Sequence, residues 1–276
     1  PSSLAAFPYN LVIGYGGEST TTATGVYNLS GGMLNLDAGA GSGILIGHTG
    51  SGTLNITGGV ANLGGGAIDG NASAQFNFQG GTLKNAGNVS TAVTFLSGGS
   101  GAVLHQDAGY NTVLNDTDGA GGFTKTGPGT LTLSGTVAHT GTTVLQGGTT
   151  VLMGDTPMNS ALTNSRGDLQ AGKLVIDYSD GTTGVAEAVL TILDLSYGDG
   201  SNPFASANGA PIFSSTADAM HGLGWADDAQ NELLTIAYTI YGDADLNGVV
   251  GASDLGLVLT NFGSTSVTWS MGDFDY

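Results

Sequence analysis

Val26-Tyr-Asn-Leu-Ser-Gly-Gly-Met-Leu-Asn-Leu36 recurs as Thr53-Leu-Asn-Ile-Thr-Gly-Gly-Val-Ala-Asn-Leu63 and again as Gln75-Phe-Asn-Phe-Gln-Gly-Gly-Thr-Leu-Lys-Asn85. Each copy is a short alternating strand, a Gly-Gly corner and a second short strand. Side chains alternate with a period of two along a strand, so Tyr27/Leu29, Leu54/Ile56 and Phe76/Phe78 share one face. Asn28, Asn55 and Asn77 take the other, where they are placed to form a stacked amide ladder of structural purpose. Only a residue without a Cβ turns so sharply at no steric cost, which accounts for the glycines. One unit cannot bury its own apolar face, so copies must stack. The pattern predicts a β-solenoid.

Working outward, Leu11-Val-Ile-Gly-Tyr-Gly-Gly17 recurs as Ile44-Leu-Ile-Gly-His-Thr-Gly50, which makes Gly14 and Gly47 equivalent corners. The Gly-Gly corners at 31, 58, 80 and 98 are 27, 22 and 18 residues apart, with the surplus in polar loops such as Glu18–Thr24. A chain that opens so close to a repeat exposes the edge of a coil, which a removed cap or another subunit is expected to cover. The chain has no initiator Met and no leader-like segment, and is expected to be a processed form or a fragment.

Composition agrees with a turn-rich β protein. Of 276 residues 50 are Gly and only 9% are charged, yet 40% are hydrophobic, enough for a substantial core. The glycines punctuate regular apolar strands, which argues for turns over disorder. Cysteine is absent, so disulfides, thiolate metal sites and a Cys nucleophile are excluded. The net charge of -18 makes nucleic acid and anionic membrane poor partners. No apolar run approaches the roughly 20 residues that span a bilayer. Acids are unevenly placed: residues 1–154 hold 6 of the 22, with two lysines, and residues 155–276 hold 16, with Arg166 and Lys173. That shift predicts a boundary near Asp155 and cation binding beyond it.

From Gly121 the repeat changes to Gly-Gly-Phe-Thr-Lys-Thr-Gly-Pro-Gly-Thr-Leu-Thr-Leu-Ser-Gly135, followed by Thr140-Gly-Thr-Thr-Val-Leu-Gln-Gly-Gly-Thr149. These 30 or so residues resemble the autotransporter-associated β-strand repeat, Lys-x-Gly-x-Gly-Thr-Leu-x-Leu-x-Gly followed by Tyr/Thr-x-Gly-x-Thr-x-Val, although the usual Asn after Gly135 is missing. The resemblance implies a right-handed, single-stranded solenoid outside a bacterial cell, of the kind that serves as a passive stalk or passenger.

Residues 155–241 read differently. Lys173–Tyr178 is expected as a strand, and Val185–Leu195 as a helix with Ala188, Val189, Ile192 and Leu193 on one face. Ser214–Met220 is expected as a short helix with a Ser or Thr cap. Leu233–Tyr241 is expected as a half-buried strand with Leu234, Ile236, Tyr238 and Ile240 on one face. The reading is mostly β overall: a solenoid over 1–154, a small mixed α/β capping module over 155–241, and a loop–helix tail over 242–276.

That tail carries the sharpest motif. Asp243-Ala-Asp-Leu-Asn-Gly-Val-Val-Gly-Ala-Ser-Asp254 places oxygen ligands at positions 1, 3, 5 and 12 of an EF-hand-type loop, with Gly248 at position 6, where such a loop turns. Calcium is a hard cation that takes several oxygens at about 2.4 Å. Asp243, Asp245, Asn247, the Val249 carbonyl and Asp254 are the expected metal ligands, with a water beside Gly251. The helix that follows is expected to bury Leu255, Val258, Leu259 and Phe262 and to end at Gly263. The whole resembles a dockerin type I repeat, and dockerins carry two; Asp273 and Asp275 would open a second metal loop. In cellulosomal dockerins loop positions 10 and 11 contribute to recognition, and here they are Ala252 and Ser253, which name no cohesin partner.

The scattered histidines His48, His105, His139 and His221 have no ligand spacing, and no G-x-S-x-G elbow is present. Asp227-Asp228 reads as a solvated pair, and Asp116 and Asp118 as loop residues. Solenoids include polysaccharide lyases, but those need cations and a base, and residues 1–154 offer only Lys84 and Lys125. The expectation is therefore a secreted, non-enzymatic structural protein of a bacterial surface, associating end to end, with a calcium-stabilised tail. The alternative is a dockerin-tethered polysaccharide-binding or polysaccharide-degrading protein of a cohesin-based assembly.

Overall fold

The structure is a computed structural model that describes residues 9–16, 23–36, 43–99, 101–154, 161, 166–205 and 208–274. The fold is mostly β, with a β-solenoid of about six turns. The chain divides into two compact units, Pro1–Gly141 and Thr142–Tyr276. The composition break at Asp155 lies outside the described residues.

The first unit holds β1 (Leu11–Ile13), β2 (Thr24–Asn35), β3 (Gly43–Ile46), β4 (Ser51–Asn62), β5 (Ala67–Gly70), β6 (Ala74–Lys84), β7 (Asn88–Val89), β8 (Val93–Ser97), β9 (Ala102–His105), β10 (Asn111–Leu114), β11 (Thr124–Thr126) and β12 (Thr130–Leu133). They form two parallel ladders, β1-β3-β5-β7-β10-β12 and β2-β4-β6-β9-β11, with β8 also on β6. The repeats align as the sequence predicts. Tyr27, Leu54 and Phe76 are register partners, as are Leu29, Ile56 and Phe78. Leu11-Val-Ile sits on Ile44-Leu-Ile, and Gly14 and Gly47 both turn with positive φ.

The Gly-Gly corners at 31, 58 and 80 are bends inside continuous strands, whereas the one at 98 separates β8 from β9. β2, β4 and β6 each run through their corner with a register shift at it. Gly32, Gly59 and Gly81 take φ of 70, 73 and 69°, the left-handed region open to glycine. Space is as restrictive as φ: a Cβ on Gly59 would lie 2.6 Å from the Gly32 carbonyl oxygen, and one on Gly81 2.6 Å from the Gly58 carbonyl carbon.

Leu54, Ile56, Phe76 and Phe78 are fully buried. Phe95 of β8 meets Phe76 edge-on, with ring centroids 5.1 Å apart. On the outer face the amide ladder forms: Asn77 Nδ2 donates to Asn55 Oδ1 and Asn55 Nδ2 to Asn28 Oδ1, both at 2.6 Å. A second ladder links Asn62 Nδ2 to Asn35 Oδ1 at 2.9 Å.

The interior also holds polar groups that alternation alone does not foretell. Lys125 is fully buried, donates to the Thr126 and Gly127 carbonyls, and is pushed by burial from 10.5 to about 8. His139 is buried, with Nδ1 2.8 Å from Thr117 Oγ1 and its ring against Phe123.

The second unit holds β13 (Thr142–Leu145), β14 (Thr149–Met153), β15 (Arg166–Leu169), β16 (Lys173–Asp177), α1 (Val185–Tyr197), β17 (Ile212–Phe213), β18 (His221–Asp228), β19 (Leu233–Ile240) and α2 (Ala252–Asn261). β13-β15-β17 and β14-β16 are parallel ladders, and the β18–β19 hairpin lies antiparallel on β16.

Three expectations are corrected here. Ser214–Met220 is a turn and not a helix: Asp168 accepts from the Ser215 N–H and hydroxyl, and Asp218 Oδ1 accepts from the Met220 and His221 N–H groups. Those side-chain bonds take the donors a helix would need. The buried stripe of α1 is Val185, Val189, Leu193 and Ser196, with Ala188 exposed, because the helix packs against β17. In β19 Leu234 and Ile236 are buried as expected, but Ala237 and Thr239 are buried while Tyr238 and Ile240 are only half-buried. The tail covers that second face through Trp269, which a Cβ on Gly224, the register partner of Ala237, would strike.

Burial pushes the His139 pKa down from 6.5 to about 4, so the folded state keeps it neutral. Between those values the unfolded chain binds more protons, and stability falls as pH drops from about 6.5 to about 4. His139→Asn should flatten the pH dependence of the melting temperature in that window relative to wild type, leaving the slope below pH 4 unchanged.

Candidate metal centre

The Asp243–Asp254 loop opens where β19 ends and closes on the first turn of α2. Carboxylate oxygens of Asp243, Asp245 and Asp254 lie within 4.8 Å of one another, with Asp243 and Asp254 buried and Asp245 exposed. Gly248 turns at φ 91°, as position 6 of such a loop requires.

The loop holds its acids by its own backbone. Asn247 and Gly248 N–H donate to the two oxygens of Asp243 at 3.1 and 2.9 Å, and Asn247 N–H also reaches Asp245. Asn247 Oδ1 accepts from Val249 N–H at 2.9 Å. Asp254, three residues into the helix start, reaches back to Gly251 N–H at 2.7 Å, the carboxylate half of a capping box. Its other oxygen accepts from Ala244 N–H at 2.8 Å and Asp245 N–H at 3.2 Å. Burial pushes the Asp254 carboxyl up, but the N–H groups of Gly251, Asp245 and Ala244 outweigh it and hold the pKa below the ordinary carboxylate range. Asp254 is therefore a buried anion at neutral pH.

Three groups that brace the loop escape a reading by sequence spacing. Thr239 Oγ1 donates to Asp243 Oδ2. Trp269, 1% exposed, donates its indole N–H to the Asp243 carbonyl at 2.8 Å. Lys173 of β16 donates to the Leu246 carbonyl at 2.8 Å. A lone Trp after the helix was the available signal; Thr239 shares its strand face with Thr235 and is not singled out, and nothing in the spacing marks Lys173.

The donor set fits a hard cation. Three carboxyl groups crowd one point, and the loop's N–H groups hold them there. Carboxylate oxygens have lone pairs beyond those the N–H bonds use. Asp243, Asp245, Asp254 and Asn247, with the Val249 carbonyl, are all oxygen donors, the chemistry that calcium or magnesium takes. Asp273 is described; Asp275, its companion in the expected second loop, lies outside the described residues.

The helix after the loop departs from expectation. Leu255, Leu259 and Phe262 are 59, 64 and 85% exposed, and only Val258 of the four expected core residues is half-buried. The helix rests through Asp254 and Val258 on the loop and on the turn at Trp269–Met271, where a Cβ on Gly272 would strike Val258. Among the described residues no element covers the opposite stripe.

The other nominated residues stay apart. His48 lies against Tyr15, and His221 bonds Asp218 and stacks on Tyr238. His105 bridges Thr126 and Asp107, and Lys84 and Asn85 also hold Asp107, so these groups form a cross-coil rung. Asp227 accepts from the Tyr178 hydroxyl, and Asp228 bonds the Asn231 turn. No protein-family model, curated protein or solved structure matches the chain.

Trp269→Phe keeps the ring and removes the bond to Asp243, and should cost about 1 kcal/mol in a denaturant melt. Trp269→Ala should cost about 3–5 kcal/mol by also emptying the space against Gly224. Equal costs for the two would show that the indole N–H does the bracing and packing adds nothing.

Proposed function

We propose that the chain is an extracellular structural protein of a bacterial surface, a self-associating stalk or filament subunit whose dockerin-like tail folds tightly around calcium. The observation that carries the reading is the coil-on-coil ladder of the first unit. Its inner face is largely apolar, and its outer face carries ladders of stacked asparagines, a surface suited to length and rigidity. The reading is non-enzymatic, and it is supported by His105, His139 and His221 lying apart in the chain's ladders and turns, each with its own local partner.

The tail supports assembly in a second way. The loop is the calcium clasp, and it orients α2 so that Leu255, Leu259 and Phe262 face outward. An apolar stripe of this kind fits docking on a neighbouring chain or on a cohesin-like partner better than packing on its own module. Calcium links the two, because the same Asp254 that ligates the ion caps the helix.

Electron microscopy of the purified protein with calcium, and again after EDTA, tests the reading. Filaments or ordered arrays that fray on chelation are expected. Monodisperse single particles under both conditions would overturn self-assembly.

A further inference from the structure

The outermost long strand of the first unit is β2, and among the described residues only β4 pairs with it. Among the described residues its other edge has no backbone partner, and residues 24–36 contain no charged side chain to discourage pairing. Val26 and Met33 on this strand are 59 and 69% exposed.

The strand is also close to a palindrome about its corner. Tyr27-Asn-Leu-Ser-Gly-Gly-Met-Leu-Asn-Leu36 reads almost the same in both directions. Of the five pairs whose numbers sum to 63, four match in kind, Gly31 with Gly32, Leu29 with Leu34, Asn28 with Asn35 and Tyr27 with Leu36, and Ser30 with Met33 does not. A two-fold axis that bisects the Gly-Gly bend exchanges the arms of the strand and keeps inward side chains inward. It thus sets the inward Leu29 on Leu34 and the outward Asn28 on Asn35 of a second copy.

The amide ladders point the same way. Asn28 Oδ1 and Asn35 Oδ1 accept from the next coil, but among the described residues neither Nδ2 donates a bond. Each amide oxygen keeps a second lone pair. Across the two-fold axis, Asn28 and Asn35 of opposite chains can donate to one another, and both ladders continue into the second copy.

Charge favours this contact. The first unit carries 6 acids and two lysines, so a joint built from it brings weakly charged surfaces together, whereas the second unit carries 16 acids. We infer that β2 is a head-to-head interface at which two copies pair antiparallel about the Gly31–Gly32 bend, an isologous contact. This rests on the self-association proposed above and names its surface.

Because the chain has no cysteine, cross-linking reads the register directly. Purified Asn28→Cys and Asn35→Cys proteins, mixed under mild oxidant, should give a disulfide-linked heterodimer, since facing Cα atoms lie within disulfide reach. Either variant alone should stay uncross-linked, because position 28 faces 35 and not itself. The cross-link should persist in EDTA, because residues 24–36 offer no carboxylate or imidazole to hold a metal. No heterodimer, or equal cross-linking of the single variants, would overturn the interface. Calcium-dependent arrays without the cross-link would sink this interface and leave the structural reading standing; cross-linked pairs that never form arrays would do the reverse.

Discussion

The close approach of one backbone to the next is the constraint on which the rest of the structure depends. Parallel coils stack at the spacing of a β ladder, roughly 4.8 Å, and the corners must stack at that spacing too. At a corner the chain bends with positive φ, and the backbone of the preceding coil fills the space a Cβ would take. A Cβ on Gly80 would lie 2.6 Å from the Thr57 carbonyl oxygen. Glycine is therefore required by shape as well as by dihedral angle, and 50 glycines in one chain become intelligible. With the corners fixed, each strand's register follows, apolar side chains face inward, and identical side chains stack into ladders.

That chain of dependence explains what was legible in the sequence. The faces of the repeats, the equivalence of Gly14 and Gly47 and the asparagine ladder are local consequences of period two and of glycine placement. The corner's form was less accessible: whether Gly-Gly breaks a strand or bends it depends on hydrogen bonds to the neighbouring coil, which spacing does not encode. Lys125 and His139 were illegible for a similar reason. Both occupy positions where alternation predicts an apolar residue, and both are tolerated because the coil supplies carbonyl or hydroxyl partners.

In the second unit legibility fell where tertiary contacts decide the outcome. Period and composition located β16, α1, β19 and α2, but which stripe each buries was set by a neighbour distant in sequence. Trp269 lies over the Gly224–Ala237 pair, Phe204 and Tyr241 lie over the Gly222–Thr239 pair, and α1 packs against β17. The convergence of Asp243, Asp245 and Asp254 was legible because spacing and geometry coincide there, with a positive-φ Gly248 turning the loop so that the three carboxylates meet. Its braces were not, since Lys173 arrives from 73 residues away. The exposed stripe of α2 follows from the same logic. Helical spacing marks an apolar face and says nothing about whether the covering surface belongs to the same chain.

Isothermal titration of calcium into the metal-free protein tests most directly whether the tail is a calcium clasp. Binding should be saturable at the Asp243 loop, abolished by Asp243→Ala and accompanied by a higher melting temperature. A flat titration at millimolar calcium, with a melting temperature indifferent to the ion, would contradict it.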